Sequence, residues 1–411
     1  MNRVCSIFSQ VLKLFSRGDF EKAVKEHRAE RHARGFTSWG QFMAMLFCQL
    51  GRAHSLREIC GGLACCEGQL KHLGVPVAPK KSTLAYANEH RPWELYRTVF
   101  EQTLGKCRAL VESRGGRKKF RFKNKLLSLD GSVIDLSVSM FDWAKYKRTK
   151  GAIKLHLLLD HDGYLPSFAV VTEGKTSEIK VARTLRLDPG TILAIDRGYI
   201  DYEWFRELSS QEVYFVTRMK EKAVYVVQEE LEVPQNSNVV SDQIVSFPRL
   251  AREGEDPVLF RRVEIRDTAK GETVVFLSNL LGFGATTIAN IYKDRWQVEL
   301  FFKALKQTLK IKTFVGTSAN AVRTQVWTAL IAMLVLKYLQ MKSAFSWSLS
   351  TLAALLRQQL FFYRDLWLWL DDPFQAPPAL AGVHDDAEQL AITLVAVVGQ
   401  QKPEQTTISP V

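Results

Sequence analysis

The sequence predicts an α/β protein in which helices flank a mixed β-sheet. Three observations support this fold class. Apolar residues recur at helical spacing through residues 1–112, strand patterns with short connections occupy residues 126–174, and helices and strands alternate through residues 177–219. Alternation of this kind is typical of a sheet that continues with parallel strands and is covered by helices.

The composition indicates a globular protein with a negatively charged partner. Lys and Arg total 56 against 43 Asp and Glu, which gives the 411 residues a formal net charge of +13. Such an excess favours a polyanion, with nucleic acid as the first candidate and an anionic membrane surface as the second. Hydrophobic residues make up 46% of the chain, enough for a sizeable core in two or three domains.

The apolar segments favour neither membrane insertion nor secretion. The longest apolar run, residues 326–336, is much shorter than the ~20 residues that a bilayer-spanning helix needs, and it predicts a buried core helix. The first residues lack the continuous apolar segment and cleavage site of a signal peptide. We therefore expect a cytoplasmic protein without a membrane partner.

All six cysteines lie in the first 107 residues, where a zinc site with His54 or His72 can be imagined. Their spacing matches no paired CxxC pattern, and small buried thiols on helices explain them better. We therefore predict neither a structural zinc ion nor a disulfide.

The N-terminal region, residues 1–112, is predicted to form a helical domain. Its clearest helical patterns lie at residues 36–50 and 92–111, and two further patterns, at residues 55–74 and 80–91, are separated by a turn that contains Gly and Pro. A helix-turn-helix unit that binds DNA would give this pattern, and so would a plain helical bundle. The sequence alone does not choose between them.

A basic segment, residues 114–125, follows the helical region. It contains seven Lys or Arg residues in twelve positions and no acid, with two Phe residues interleaved. A charged run of this kind is usually a solvated linker, although it also suits contact with a nucleic-acid backbone. Its position directly before the predicted sheet favours the second interpretation, which makes Lys118, Lys119 and Arg121 candidate DNA contacts.

The predicted sheet begins with three strands whose short connections indicate an antiparallel meander, at residues 126–138, 152–160 and 164–174. A second basic loop, residues 145–151, leads into the second of these strands. The parallel part of the sheet follows as helix, strand, helix and strand, at residues 177–185, 191–196, 201–208 and 213–219. Residues 221–279 then show a β-rich pattern, which we interpret as an insertion.

Two aspartates stand where α/β folds build their sites. Asp130 interrupts the apolar strand LLSLD and Asp196 ends the strand TILAID, so each would be held rigidly at the edge of the sheet. A single aspartate after a strand is more often a turn residue or a helix N-cap. Asp135 and Asp142 could take the place of Asp130, but neither lies so centrally in the predicted strand.

The segment YKDRWQVELFFKALKQTLKI, residues 292–311, predicts an amphipathic helix with an unusual polar face. At about 100° per residue, an arc of roughly 60° holds four polar residues, namely Tyr292, Arg295, Glu299 and Lys306. The apolar residues gather on another side, which we expect to be buried: Ile291, Val298, Phe301, Phe302, Leu305 and Leu309. Ion pairing between Glu299 and Lys303 on a solvated helix is the simpler interpretation of the polar face.

Together the two aspartates and Glu299 would form an oxygen-ligand site suited to Mg²⁺ or Mn²⁺. Two such ions about 3.5–4 Å apart can activate a water or hydroxyl and stabilise the leaving oxygen of a phosphodiester. Arg295 and Lys306 would then hold phosphates, and Tyr292 would add a hydroxyl or a stacking ring.

The spacing of these residues resembles a known signature. Tyr292, two residues, Arg295, three residues, Glu299, six residues and Lys306 are similar to the Tyr-Arg-Glu-Lys signature of the IS-four-like bacterial insertion-sequence transposases, DDE enzymes with an RNase H-like core. The stretches LDGS and AIDRGY resemble the motifs of the family's first and second carboxylates, and GAIKLHLLLD and YFVTRMK resemble the strands that follow them. The resemblance covers about residues 125–340, and its five motifs occur in the family's order.

The resemblance implies a DNA transposase that binds the inverted-repeat ends of its element, cuts a strand with metal-activated water and joins the freed 3′ hydroxyl to target DNA. The expected cofactor is a pair of Mg²⁺ or Mn²⁺ ions, and their expected ligands are Asp130, Asp196 and Glu299. The expected phosphate contacts are Tyr292, Arg295, Lys306, Lys154 and Arg218. Some family members pass through a hairpin at the element end, where Trp296 or another aromatic residue would handle a flipped base, although a Trp here can also simply pack.

The sequence patterns and the resemblance together divide the chain into five parts. These are a helical domain for end binding (1–112), a first part of the catalytic core (113–220), the β-rich insertion (221–279), a second part of the core with C-terminal helices (280–372) and a loosely ordered tail (373–411). Pairing two ends requires two active sites, which fits a dimer on DNA. The alternatives are a metal-dependent nuclease that never joins DNA and a transposase-derived DNA-binding protein that has lost catalysis.

Overall fold

The structure is a computed structural model that describes residues 5–375 except 32, 34, 116–118, 137–144, 148–149, 234, 236, 268–270 and 309–313. Several sequence predictions fall outside the described residues: those for Lys118, Asp142, Leu309, part of the second basic loop and the tail from residue 376 onward.

The described chain before the sheet is helical. Polar caps set where its helices begin: the Thr37 hydroxyl accepts a hydrogen bond from the Gly40 amide at 3.1 Å, and Ser55 caps the following helix in the same way. The helices are α1 (Ile7–Leu12), α2 (Arg17–Glu26), α3 (Ser38–Leu50), α4 (Leu56–Ala64), α5 (Glu67–Leu70), α6 (Lys81–His90) and α7 (Glu94–Ser113). The helices predicted at residues 36–50 and 92–111 are confirmed as α3 and α7.

One sheet contains all the strands of the described residues. They are β1 (Leu126–Leu136), β2 (Lys145–Lys147), β3 (Lys150–Asp160), β4 (Leu165–Glu173), β5 (Ile192–Ile195), β6 (Tyr214–Arg218), β7 (Val226–Glu230), β8 (Val239–Ser246), β9 (Leu259–Asp267) and β10 (Glu272–Ser278). Their order is β2-β3-β1-β5-β6-β10-β9-β8-β7, and β4 also pairs with β3.

The pairing confirms the predicted mixed α/β sheet. β3 runs antiparallel to both β1 and β4, which is the predicted meander. β5 is parallel to β1, and β6 is parallel to β5, as the alternation of helices and strands predicted. The connections on either side of β5 carry α8 (Glu178–Ala182) and α9 (Tyr202–Ser210).

Residues 221–279 are β-rich, and their strands extend the main sheet. β10 pairs antiparallel with β6, and β9, β8 and β7 follow outward in antiparallel order. Arg261 and Asp242, both buried, tie β9 to β8 through two hydrogen bonds of 2.8 and 2.7 Å. A bidentate pair of this kind fixes orientation as well as distance.

The C-terminal helices are α10 (Ala285–Asp294), α11 (Trp296–Thr308), α12 (Ala319–Lys342), α13 (Leu349–Gln359) and α14 (Leu366–Asp371). The predicted core helix at residues 326–336 is confirmed within α12, where none of these residues is more than 4% exposed. By length and composition α12 could cross a membrane, but 83% of its most apolar stretch is buried inside the fold, as in the core helix of a globular protein.

A continuous apolar core joins the N-terminal helices to the C-terminal ones and to residues of β1, β3 and β4. Trp93, before α7, stacks on Trp327 of α12 with ring centroids 6.1 Å apart, and Phe100 meets the same ring edge-on at 5.2 Å. The N-terminal helices therefore share their core with α12. All six cysteines are free thiols, of which Cys48 and Cys107 are buried.

The prediction of one continuous helix over residues 292–311 is wrong at Arg295, where the chain divides into α10 and α11. The amide of Val298 bonds the carbonyl of Arg295, three residues back, which tightens the turn. Asp294 and Arg295, on either side of this division, are both buried, at 2% and 8% exposure. The predicted apolar side is buried at Ile291, Val298, Phe301, Phe302 and Leu305.

Candidate active site

Asp130 and Asp196 occupy equivalent positions on neighbouring parallel strands. Leu129 of β1 pairs with Ile195 of β5, and each aspartate is the next residue. Since side chains alternate along strands in the same way, both carboxylates emerge on one face of the sheet. The amide of Gly131 donates to Asp130 Oδ1 at 2.8 Å and helps to fix the first carboxylate.

Arg295 lies between the carboxylates of β1 and α11. Its Nη2 donates to Glu299 Oε1 at 2.5 Å, and its Nη1 lies 3.7 Å from Asp130 Oδ2. The Arg295 side chain is only 10% exposed, and limited solvent strengthens both attractions. The ion-pair partner of Glu299 one turn away is thus Arg295, not Lys303 as the simpler interpretation of the helix had it.

Tyr292 contacts the second aspartate. Its hydroxyl donates to Asp196 Oδ1 at 3.4 Å, and its buried ring packs on Phe276 with centroids 5.2 Å apart. The guanidinium carbons of Arg295 and Arg218 lie 5.3 and 5.5 Å from the ring centroid. The negative face of an aromatic ring attracts such cations, so Tyr292 links Arg218 to the group of acids.

The environment of Asp130 alters its acidity. Burial, with smaller contributions from Glu299 and Asp196, raises the pKa of the Asp130 carboxyl from 3.8 to about 6, against the opposing effects of the Gly131 amide and the Arg295 guanidinium. A buried carboxyl whose pKa is raised is common at functional sites. The charge of this site is therefore sensitive to pH and to any added cation.

A cavity of about 510 Å³ opens beside Asp130 and Glu299. Lys303 and Lys306 of α11 also line it. Lys306 Nζ donates to the carbonyl of Val133 at 3.0 Å, which holds this side chain against β1. The cavity thus combines carboxylates with cations, a set of charges suited to a phosphodiester together with a cation.

The predicted DNA contacts Lys154, Lys119 and Arg121 do not line the cavity beside Asp130 and Glu299. Lys154 of β3 forms an ion pair with Glu178 at 3.3 Å. Lys119 forms one with Asp294 at 2.5 Å and lines a second cavity, while Arg121 is exposed. The structure thus brings the three acids together with Tyr292, Arg295 and Lys306, whereas Lys119 is separate from that group.

Two groups beside the aspartates were missed by the sequence analysis. Tyr199 is buried, and burial together with three nearby carboxylates raises its pKa; its hydroxyl has no hydrogen-bond partner within the described part of the chain. Glu178 lies so close to Gly198 that a Cβ there would be 2.8 Å from Glu178 Oε2. The motif AIDRGY contains both Gly198 and Tyr199, but no sequence spacing marks Glu178.

Across the described ranges, no three His, Cys, Asp or Glu side chains are arranged to hold a metal ion. The kind of donor nevertheless fits a hard divalent cation, because the grouped oxygens belong to carboxylates. The Tyr199 hydroxyl, which has no hydrogen-bond partner among the described residues, and the raised pKa of Asp130 both indicate that polar groups here are incompletely compensated.

The sequence is similar to those of known transposases. Residues 121–335, more than half of the chain, match the family described as Transposase DDE domain, and residues 4–76 match a domain of unknown function, DUF4372. A candidate transposase of Sinorhizobium fredii, y4zB, is 32% identical over 68% of this chain and 77% of its own length. The transposase assigned to insertion sequence element IS5377 of Geobacillus stearothermophilus is 28% identical over 63% of this chain and 67% of its own length.

Among solved structures, a piggyBac transposase in a synaptic complex with hairpin DNA covers 98% of this chain and 85% of its own, with a TM-score of 0.38 and 9% sequence identity. That similarity is too weak to establish a shared fold. The family match and the two relatives do not depend on it. The chain belongs to the DDE transposase family, whose members are enzymes that use divalent metal ions.

Proposed function

We propose that this protein is an insertion-sequence transposase of the Tyr-Arg-Glu-Lys, IS-four-like branch that cuts DNA at the inverted-repeat ends of its element and joins the freed 3′ hydroxyl to target DNA. The observation that carries the proposal is the grouping of Asp130, Asp196 and Glu299. Two of these acids follow paired residues of parallel strands, and Arg295 connects the third to the first.

The proposed catalytic core is RNase H-like. The strand order β4-β3-β1-β5-β6 supports this, because three antiparallel strands continue into two parallel ones. In this arrangement the first aspartate lies on β1 and the second directly after β5. The glutamate comes from α11, which contacts β1.

Asp130, Asp196 and Glu299 are the proposed ligands of two Mg²⁺ or Mn²⁺ ions. When bound, such ions activate the attacking water or hydroxyl and stabilise the leaving oxygen. Arg295 balances the charges of Asp130 and Glu299 in the structure, and its guanidinium can turn from them toward a phosphate, since it suits either anion. Tyr292 orients Asp196 through its hydroxyl.

DNA is the proposed partner, both as element ends and as target. The net charge of +13 supports this, and so does the exposed surface of α6, which carries Lys81, Tyr86 and His90. Tyr86 and His90 stack with ring centroids 3.9 Å apart. We assign end binding to the helical region 1–112, a dimer to the complex with two ends, and a cytoplasmic, nucleoid-associated location to the protein.

The test of this proposal is cleavage and joining of DNA that carries the inverted repeat flanking the gene. With Mg²⁺ or Mn²⁺, the protein is expected to cut at the element boundary and transfer the 3′ end to a second DNA, and excess EDTA is expected to abolish both reactions. Cleavage without joining would indicate a nuclease. Binding without either reaction in both metals would indicate an inactive DNA-binding descendant.

A substitution of Lys306 tests its contact with the DNA backbone. Lys306→Gln is expected to reduce affinity for the element end and to lower the slope of log Kd against log salt concentration by about 1, as expected for loss of one phosphate contact. Binding titrations at salt concentrations from about 50 to about 200 mM measure this slope, because phosphate contacts make affinity strongly salt-dependent in this range. Lys342→Gln, at the end of α12, is the matched control, and an unchanged slope for Lys306→Gln would remove this residue from the DNA contacts.

A further inference from the structure

A cavity of about 800 Å³ is lined by residues of α7, the basic segment, and the turn between β3 and β4. Asp294 and His161 lie in its wall. Asp294 is only 2% exposed and directly precedes Arg295 at the break between α10 and α11. The cavity therefore adjoins the helix junction that supports the candidate active site.

A chain of short hydrogen bonds crosses this wall. Ser128 Oγ lies 2.7 Å from His161 Nε2, and His161 Nδ1 lies 2.7 Å from Asp294 Oδ2. Lys119 Nζ donates to the other carboxylate oxygen, Asp294 Oδ1, at 2.5 Å. Tyr164 adds a longer hydrogen bond of 3.4 Å to Oδ2. Both oxygens of Asp294 thus accept hydrogen bonds from other segments of the chain.

The charge of Asp294 is stabilised in place. Burial alone would raise the pKa of its carboxyl, but the hydrogen bonds and charges of His161 and Lys119 outweigh burial and lower it. A buried carboxylate with such partners is strongly held, because leaving it unpaired would be costly. The position of Asp294 is therefore set by partners outside its own helix.

The two ends of this network lie close in sequence to residues of the candidate active site. Ser128 lies on β1, two residues before Asp130, and is fully buried. Asp294 lies next to Arg295, which in turn holds Glu299. Lys119 belongs to the basic segment and its side chain is 58% exposed. The network connects this segment to the strand of the first aspartate and to the end of α10, which directly precedes Arg295 and the helix of the glutamate.

We propose that Asp294 is a positioning residue that couples the basic segment, through Lys119, to the placement of Glu299 opposite Asp130. The proposal rests on the function proposed above. In this view Lys119 acts on the rate of cleavage by anchoring Asp294, in addition to any attraction that it adds for DNA. His161 completes the anchor from the β1 side.

The experiment is a double-mutant cycle on the full chain with DNA carrying the element end. Asp294→Asn and Lys119→Ala are each expected to lower the single-turnover cleavage rate at saturating DNA tenfold or more, with Kd for the end within threefold of wild type. The double variant is expected to cleave no more slowly than the slower single variant, because both changes break one connection. Lys119→Arg is expected to restore most of the rate.

Lys123→Ala is the matched control, since Lys123 is an exposed residue of the same basic segment. It is expected to weaken binding without changing the rate at saturation. If Lys119→Ala behaves like this control, or if the two single effects multiply in the double variant, the coupling does not exist. Lys119 is more than half exposed, so its variants test the proposal even if Asp294→Asn fails to fold. A wild type that binds ends but never cleaves would instead overturn the proposed function.

Discussion

Replacing Glu299 with glutamine is expected to lower the rate of strand cleavage by about a thousandfold, equivalent to roughly 4 kcal/mol of transition-state stabilisation. Glutamine keeps the shape of the side chain and can still accept the hydrogen bond that Arg295 now donates to Glu299 Oε1 at 2.5 Å. It removes the negative charge that makes a carboxylate a stronger ligand of a divalent cation than a neutral amide oxygen. Affinity for the element end is expected to stay within about threefold of wild type, because it depends mainly on Lys and Arg.

Single-turnover cleavage in saturating metal, together with binding titrations of the same DNA, measures both quantities. Glu207→Gln is the matched control, because Glu207 is a half-exposed glutamate on α9 that pairs with Arg183. That control is expected to leave cleavage and binding unchanged. Equal loss of cleavage and binding in Glu299→Gln would argue against a metal ligand and for a structural role.

Without divalent metal at pH 7.5, Asp130→Asn is expected to raise the free energy of unfolding by about 3 kcal/mol. The pKa of the Asp130 carboxyl is about 6 in the folded protein, and it is about 3.9 in an unfolded chain. Its protonated form therefore stabilises the fold fully below about pH 4, and this stabilisation is lost as pH rises through about 6. Asparagine resembles the protonated form at every pH and avoids the loss.

Denaturant unfolding in EDTA at two pH values tests this expectation. The difference between Asp130→Asn and wild type is expected to shrink to about 1 kcal/mol or less near pH 4.5. Asp135→Asn, an exposed position on the same strand, is the control and should change stability by less than about 0.5 kcal/mol at either pH. Adding Mg²⁺ is expected to narrow the gap at pH 7.5, since the ion binds the ionised wild-type site more tightly than the Asp130→Asn site. A difference that does not change with pH would contradict the assigned cause.

The local pattern of the sequence was sufficient to predict much of the sheet. The strands around Asp130 and Asp196 are short apolar runs bounded by turns, and their order along the chain leaves few possible pairings. The same local pattern could not predict that the strands of residues 221–279 join this sheet. The pairing of β10 with β6 is non-local, and nothing within either strand specifies its partner.

The sequence was sufficient to select several residues that the structure groups at the candidate site, but it did not predict the contacts between them. Helical spacing correctly gathers Tyr292, Arg295 and Glu299, but it cannot show that the helix breaks at Arg295 or that this guanidinium lies between two carboxylates. The sequence does not mark Asp294 as a positioned residue, because its partners, His161 and Lys119, lie more than 130 residues away along the chain. The catalytic roles of the three acids stay predictions until the variants are measured.

The core that joins α12 to the N-terminal helices limits how the DNA-end binding proposed for those helices can change. A module with its own core can be exchanged between proteins, whereas removal of the helices before residue 113 would uncover the apolar surface of α12, including Trp327. The end binding proposed for residues 1–112 is therefore expected to diverge by substitution at exposed positions, such as those of α6, and not by exchange of the whole N-terminal region.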